Sequence, residues 1–299
     1  MKTRVCEFIN YHPVVNFIYF VAVIGFSMFL MNPVCLAISL VSAFVYSTVI
    51  NGKGTLKLGI YGILPIMVVA AVVNSFFNHQ GMTAITYFPN GNPLTLEAII
   101  YGILAATMIG AVIFWFSCCN TIITEDKLMY LFGKVIPSIS LVISMTMRFV
   151  PRFKNHLKQV VDAQKGIGRD VSQGKSLKRI QMGMSVLSIM TSWIMENSLE
   201  TAASMKARGY GLGGRTAFSL FRFSKRDGGM LIFIISISTY ILLGIFDGKL
   251  KFACFPGLEM AKLSVFSASV YAAYFMLCAT PVFIEVRMRY KWNVIESKI

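Results

Sequence analysis

Residues 96–118, LEAIIYGILAATMIGAVIFWFSC, decide the fold. This stretch is apolar, and Glu97 is its one charged residue. A hydrocarbon core of about 30 Å is crossed by a helix of about 20 apolar residues. The stretch therefore predicts a transmembrane helix. Five other stretches qualify or nearly so, namely 14–31, 34–50, 58–77, 230–246 and 264–284. The sequence thus predicts an all-α polytopic membrane protein with about six transmembrane helices.

The composition agrees with this fold class. Of the 299 residues 56% are hydrophobic and 14% charged, and the mean hydropathy is +0.67. The net charge of +15 does not indicate a nucleic-acid partner, because the cations alternate with apolar runs of spanning length. The six cysteines form no CxxC motif and the three histidines lie far apart, so the sequence predicts no metal site and no bound cofactor.

The distribution of Lys and Arg predicts the orientation, because short cytoplasmic loops retain these residues. In a six-span arrangement the cations of the N-terminal tail, of the loop 51–57, of segment 119–229 and of the C-terminal tail fall on one side. The opposite side carries only Lys249, Lys251 and Lys262. We therefore predict a multi-pass protein of a bacterial-type cell (inner) membrane with both termini in the cytoplasm.

Three regions follow from this arrangement. Residues 1–118 hold the first four spans, residues 119–229 form a cytoplasmic helical region, and residues 230–299 hold the last two spans and a cytoplasmic tail. The middle region contains two shorter apolar stretches, 135–147 and 182–195. If both crossed the membrane, nine cations between them would lie outside, which the positive-inside rule opposes. An eight-span topology with tilted or re-entrant segments stays open.

Two long helices are predicted in the middle region. In residues 148–165 the spacing of Phe149, Phe153, Leu157 and Val160 places them on one face of a basic amphipathic helix, with Pro151 in its first turn. Its basic face indicates either anionic lipid headgroups or a protein as the partner.

The second helix is predicted over about 177–208, with Gly209 placed to end it. Arg208 then lies in the last turn, where the helix dipole favours a cation.

With these features the chain resembles a known family, the transmembrane T component (EcfT) of energy-coupling factor (ECF) transporters, which are ABC-type importers of micronutrients. The resemblance rests on His12-Pro13, Asn32-Pro33, Arg148-Phe149-Val150-Pro151, Asp162-Ala163-Gln164-Lys165 and, most specifically, AASMKARGYG at 202–211. Family members carry two Ala-Arg-Gly-type motifs, each of which ends a cytoplasmic coupling helix and contacts an ATPase subunit. The resemblance thus implies that 119–229 is the coupling-helix region.

The two motifs differ in this chain. Ala207, Arg208 and Gly209 match the second motif completely, whereas the first is degenerate. Gly166, Ile167 and Gly168 stand where Ala, Arg and Gly are expected, so that Ile167 replaces the arginine. Either Lys165 or Arg169 supplies the missing charge, if the helix has already ended there, or the first site binds by shape and apolar contact.

The resemblance implies a non-catalytic coupling subunit that transmits ATP-driven motion to a membrane substrate-binding S component, for uptake of a vitamin or transition-metal ion. Its partners are then two ABC-type ATPase subunits, which bind ATP and Mg, the S component and membrane lipids. The main alternative is a stand-alone membrane permease for a small neutral solute. A membrane-embedded enzyme using His12, Glu125, Asp126 or His156, and a scaffold without transport, are further alternatives. The Gly209-x-Gly211-x-x-Gly214 pattern follows a helix rather than a strand, which opposes dinucleotide binding.

Overall fold

The computed structural model describes residues 7–87, 93–135, 137–168, 176–212, 221–248, 250–255, 257, 259–260 and 264–296. A short 3-10 helix, Glu7–Asn10, comes first, and a π-helical segment, Leu58–Ile63, joins α3 to α4. The α-helices are α1 (Pro13–Phe29), α2 (Pro33–Asn51), α3 (Lys53–Lys57), α4 (Leu64–Phe77), α5 (Leu96–Ile122), α6 (Glu125–Val135), α7 (Pro137–Gly166), α8 (Ser176–Ala207), α9 (Lys225–Phe246) and α10 (Val265–Glu296). The protein is all-α and polytopic, as predicted.

Five helical segments of the described chain are long and apolar enough to cross a membrane: Pro33–Asn51, Gly54–Phe77, Leu96–Ile122, Lys225–Phe246 and Val265–Lys291. They correspond to five of the six predicted spans. The first predicted span, 14–31, is α1, an apolar helix of 17 residues. Neither α7 nor α8 belongs to this group.

Two short hairpins lie between predicted spans, and the sequence analysis did not anticipate them. Strands β1 (Ala84–Tyr87) and β2 (Pro93–Thr95) pair antiparallel, as do β3 (Phe252–Ala253) and β4 (Glu259–Met260). Beside the first hairpin, Thr83 donates its hydroxyl to the carboxylate of Glu97 at 2.7 Å. Glu97 is therefore buried with a hydrogen-bond partner, as a buried carboxylate requires.

The chain forms two compact units, Met1–Leu128 with Phe221–Ile299, and Met129–Leu220. We call them the membrane unit and, after the role that the resemblance implies, the coupling unit. The predicted region boundaries at 118/119 and 229/230 fall inside α5 and α9, because both helices extend beyond their apolar stretches.

An aromatic cluster forms the centre of the membrane unit. Trp115 of α5 is fully buried, and its indole donates to Ser39 Oγ of α2 at 3.0 Å. Tyr19 and Phe20 of α1 meet the Trp115 ring edge-on, at centroid distances of 6.2 and 6.5 Å. Ser39 also bonds Ser27 Oγ of α1 at 2.9 Å. These contacts tie α1, α2 and α5 together at their buried faces.

In the coupling unit α7 packs on α8. The predicted face of Phe149, Phe153, Leu157 and Val160 is confirmed, because all four are half-buried. His156 stacks on Trp193 of α8 with ring centroids 4.0 Å apart.

The predicted position of Pro151 is wrong. It lies inside α7, which begins at Pro137, rather than in a first turn. Leu141, Met145 and Phe149 continue the half-buried stripe at intervals of four residues, so the packed face runs past the proline. Packing of this face thus outweighs the one hydrogen bond that proline cannot donate.

Candidate functional site

The end of α8 is a glycine-terminated helix stop. The Tyr210 amide donates to Met205 O and the Gly209 amide donates to Lys206 O, both at 3.0 Å. Gly209 has a φ of +80°. These two bonds and the left-handed glycine form a Schellman motif, which satisfies carbonyls that the helix end leaves open. The predicted stop at Gly209 is confirmed.

This stop presents Arg208 at the tip of the helix. The Arg208 amide still bonds Ser204 O and Met205 O at 3.2 Å, and its side chain is exposed. Ala203 and Ala207 are exposed beside it, so that another surface can approach the helix closely. A guanidinium carries a permanent charge and five donors in a planar fork, which suits carboxylates or helix C-terminal carbonyls.

The end of α7 repeats part of this backbone geometry. The Gly168 amide donates to Lys165 O at 3.0 Å, and the Ile167 amide donates to Gln164 O at 3.2 Å. Gly168 has the same φ of +80° as Gly209. Counted from these glycines, Ile167 occupies the position of Arg208 and Gly166 that of Ala207. The side chain of Ile167 is 72% exposed.

Two cations flank this turn in the sequence, Lys165 and Arg169. Lys165 lies within the last turn of α7. Because α7 ends at Gly166, Ile167 lies beyond the helix, and the angle of about 200° between helical positions two residues apart does not apply to it. That Lys165 supplies the missing charge therefore stays a prediction. Arg169 lies outside the described residues.

Two apolar side chains next to Arg208 were not among the predicted site residues. Tyr210 is 52% exposed and Leu212 is 76% exposed, and the Leu212 amide donates to Gly209 O at 3.2 Å. Large apolar side chains between glycines, just beyond a helix stop, have little core to enter, and this pattern was the available signal. The tip of α8 thus combines a cation with apolar contact area.

The four candidate residues for an enzyme site either make other contacts or lie in the first turn of a helix. His12 Nδ1 accepts a hydrogen bond from the Val14 amide at 3.3 Å and caps α1. His156 stacks on Trp193. Glu125 and Asp126 lie in the first turn of α6. Among the described residues no three His, Cys, Asp or Glu side chains are grouped so that they could hold a metal ion.

Comparisons with known proteins find relatives of one kind above all. The energy-coupling factor transporter transmembrane protein EcfT of Lactobacillus helveticus is 30% identical over 118 residues, which cover 39% of this chain and 40% of that protein. EcfT of Listeria innocua is 31% identical over 101 residues, which cover 33% of this chain and 38% of that protein. The match thus spans about two fifths of the length of these relatives.

A further relative has a different name. A putative ABC transporter ATP-binding protein of Bifidobacterium longum is 25% identical over 243 residues, which cover 77% of this chain and 30% of that protein. No family model matches the chain. The EcfT relatives confirm the resemblance stated from the motifs: over the matched residues this chain is similar to EcfT, the transmembrane protein of energy-coupling factor transporters.

Proposed function

We propose that this chain is the membrane coupling subunit of an ECF-type importer. It transmits ATP-driven motion from two cytoplasmic ATPase subunits to a membrane S component, which binds a vitamin or a transition-metal ion. The observation that carries the proposal is the pair of long helices in one unit that end in the same exposed glycine stop. The names of the EcfT relatives, and of the ATP-binding relative, support it.

The lengths of α7 and α8 suit this role. They contain 30 and 32 residues, and a rise of 1.5 Å per residue makes each about 45 to 48 Å long. Packed helices of this length move as rigid bodies, so a displacement at one tip is carried along the helix. ATP and Mg bind to the ATPase subunits, and this chain contributes contacts rather than catalysis.

The two tips contact their ATPases by different chemistry. Arg208 binds carboxylates or helix carbonyls in a groove of one ATPase, with Tyr210 and Leu212 excluding water around it. The turn Gly166–Gly168 contacts the other ATPase through Ile167 and its two glycines, at each of which an added Cβ would meet no described atom within 4 Å. The membrane unit holds the S component within the cell membrane, with both termini in the cytoplasm.

Co-purification tests this function. The chain is expressed with its candidate ATPase pair and S component, solubilised gently and recovered through a tag on this chain. We expect the wild type to retain both ATPases, and Arg208→Glu to weaken their retention at least about 30-fold, since truncation of a desolvated charged contact costs about 2 to 5 kcal/mol.

Lys178→Glu is the matched control, because it makes the same charge change near the opposite end of α8, on an exposed side chain. It should leave ATPase retention unchanged. If the folded wild type retains no ATPase, the coupling function is wrong and a stand-alone permease becomes the better hypothesis. Equal weakening by Lys178→Glu would mean that overall charge, rather than the tip of α8, governs the association.

A further inference from the structure

The chain leaves the membrane unit after Leu128 and returns to it at Phe221. Both connections are held by the same short N-terminal segment. We call this segment, residues 7–12, the N-terminal brace. It contains the 3-10 helix Glu7–Asn10, and it ends at His12, the residue that caps α1.

The outgoing connection is held by Lys127. Its ammonium group donates to Ile9 O at 2.5 Å, across 118 residues of sequence. Lys127 is only 3% exposed. A buried ammonium without a strong acceptor is costly, so this contact fixes the start of α6 against the brace.

The returning connection is held by Asp227. One carboxylate oxygen, Oδ1, accepts from the His12 amide at 3.2 Å. The other, Oδ2, accepts from the Ser224 amide at 2.9 Å and from its hydroxyl at 2.7 Å, which completes the capping box of α9. One buried carboxylate therefore joins the brace to the first turn of α9.

Two further contacts tie the brace to the returning connection. The guanidinium of Arg226 lies 4.2 Å from the centroid of the Tyr11 ring, and it approaches Glu7 Oε2 to 3.8 Å. The His12 ring meets Phe223 edge-on at 5.1 Å. A cation over an aromatic face adds attraction without requiring a buried counter-charge.

The brace is itself anchored in the membrane unit. Phe8 is fully buried and meets Tyr19 of α1 edge-on at 5.2 Å. The Glu7 amide donates to Glu285 Oε2 of α10 at 3.1 Å. The brace therefore joins the two connections to the aromatic cluster of this unit. If the brace moved with one connection, its other contacts would be disturbed.

We propose that the N-terminal brace makes the outgoing and returning connections move as one body, and that Lys127 and Asp227 are positioning residues for energy coupling. The proposal rests on the proposed function, since coupling is the activity that the brace serves. A displacement that arrives through one connection is shared with the other, and with α1 and α10, through the brace. Without the brace the ATPases still bind and hydrolyse ATP, but less of the motion reaches the membrane helices.

The test uses the complete transporter in liposomes, with Lys127→Met, Asp227→Ala and the double variant, and measures uptake per ATP hydrolysed. We expect ATPase retention and ATP hydrolysis within twofold of wild type, and an uptake-per-ATP ratio about tenfold lower in either single variant. The double variant should be no lower than the single ones, because either change already breaks one of the two attachments that the coupling requires. Ser224→Ala is the matched control: it removes the cap hydroxyl of α9 but leaves the bond between Asp227 and His12, and it should keep the wild-type ratio.

Amide exchange provides a second measurement that does not depend on transport. In the purified complex, Lys127→Met should speed exchange of the His12 amide at least tenfold, although that amide donates to Asp227 and the ammonium of Lys127 donates to Ile9 O. Unchanged exchange at His12 would mean that the two connections are independent and would overturn the proposal. So would a wild-type ratio in either single variant, a double variant about a hundredfold lower, or a loss in Ser224→Ala equal to that in Asp227→Ala. Failure of the wild type to retain ATPases would instead overturn the proposed function.

Discussion

The ends of α7 and α8 share a glycine stop but present different side chains. Each helix ends before a glycine with a φ of +80°, whose amide donates to the carbonyl three residues earlier at 3.0 Å. At the position before that glycine one helix presents Arg208 and the other Ile167. The glycine therefore provides the stop in both helices, and the adjacent side chain determines what the tip can bind.

The largest effect on ATPase binding is expected when the tip of α8 is given the side chain that the tip of α7 has. In Arg208→Ile the backbone stop stays intact, because Gly209 is unchanged, but the charged contact is lost. We expect ATPase binding at least about 30-fold weaker, from the cost of about 2 to 5 kcal/mol for removing one partner of a desolvated charge contact. Titration of the purified chain with its ATPases measures this. A wild-type Kd would show that the charge is not what distinguishes the two tips.

Replacing the glycines tests the shared backbone. Gly209→Ala and Gly168→Ala each place a side chain at a φ of +80°, which costs about 1 to 2 kcal/mol. The cost should be higher at Gly209, where an added Cβ would lie 3.1 Å from Leu212 Cδ1, than at Gly168, where no atom lies within 4 Å. The opening of each stop is measured by amide exchange. The rate at Tyr210 is compared between Gly209→Ala and wild type, and the rate at residue 168 is compared between Gly168→Ala and wild type.

Gly183 provides the control for these variants. It lies within α8 and nothing lies within 4 Å of an added Cβ. Gly183→Ala should therefore stabilise the helix by about 0.5 to 1 kcal/mol. If all three alanine variants behaved alike, the positive φ would not be the source of the stop.

A smaller effect, a gain in affinity for the ATPases, is expected when the tip of α7 is given the missing charge. Ile167 is 72% exposed, so Ile167→Arg removes little packing. The variant should bind the ATPases about fivefold more tightly, from about 1 kcal/mol for an added exposed charge contact. The same titration measures it, with Ile167→Leu as the neutral control. Weaker binding by Ile167→Arg would mean that the ATPase at this tip requires an apolar contact.

The smallest effect is expected at Lys165. It lies in the last turn of α7, whereas Ile167 lies beyond the end of the helix. Lys165→Ala removes a cation near the helix C-terminus, worth about 0.3 kcal/mol at an exposed position, so the Kd for the ATPases should change less than about twofold. A tenfold loss would assign to Lys165 the charge that the first motif lacks.

Much of the fold follows from local pattern. The apolar stretch 96–118 predicts α5 because span length and the absence of charge are properties of the sequence alone. The end of α8 was also predictable, because Gly209 is the residue that most readily adopts a positive φ. Pro151 was misplaced, because its tolerance inside α7 depends on a face packed along α8 and not on the residues next to it.

The candidate site shows the same division. The sequence singled out Arg208 and the degenerate turn at Gly166–Gly168, but not Tyr210 and Leu212, whose exposure follows from how the chain turns beyond α8. The glycine stop that the two tips share rests on backbone angles and hydrogen bonds that the sequence alone does not contain.

The sequence by itself determined where the chain is apolar enough to span a membrane, where its long helices stop, and which side chain stands at each stop. Only the tertiary structure decided that residues 7–12 meet both connections to the coupling unit, through Lys127 at a separation of 118 residues and Asp227 at a separation of 215 residues. The physical reason is the distance along the chain over which each interaction acts. Hydrophobic periodicity and glycine conformation act within a few residues, whereas these hydrogen bonds exist only because packing of α1, α9 and α10 brings distant segments together.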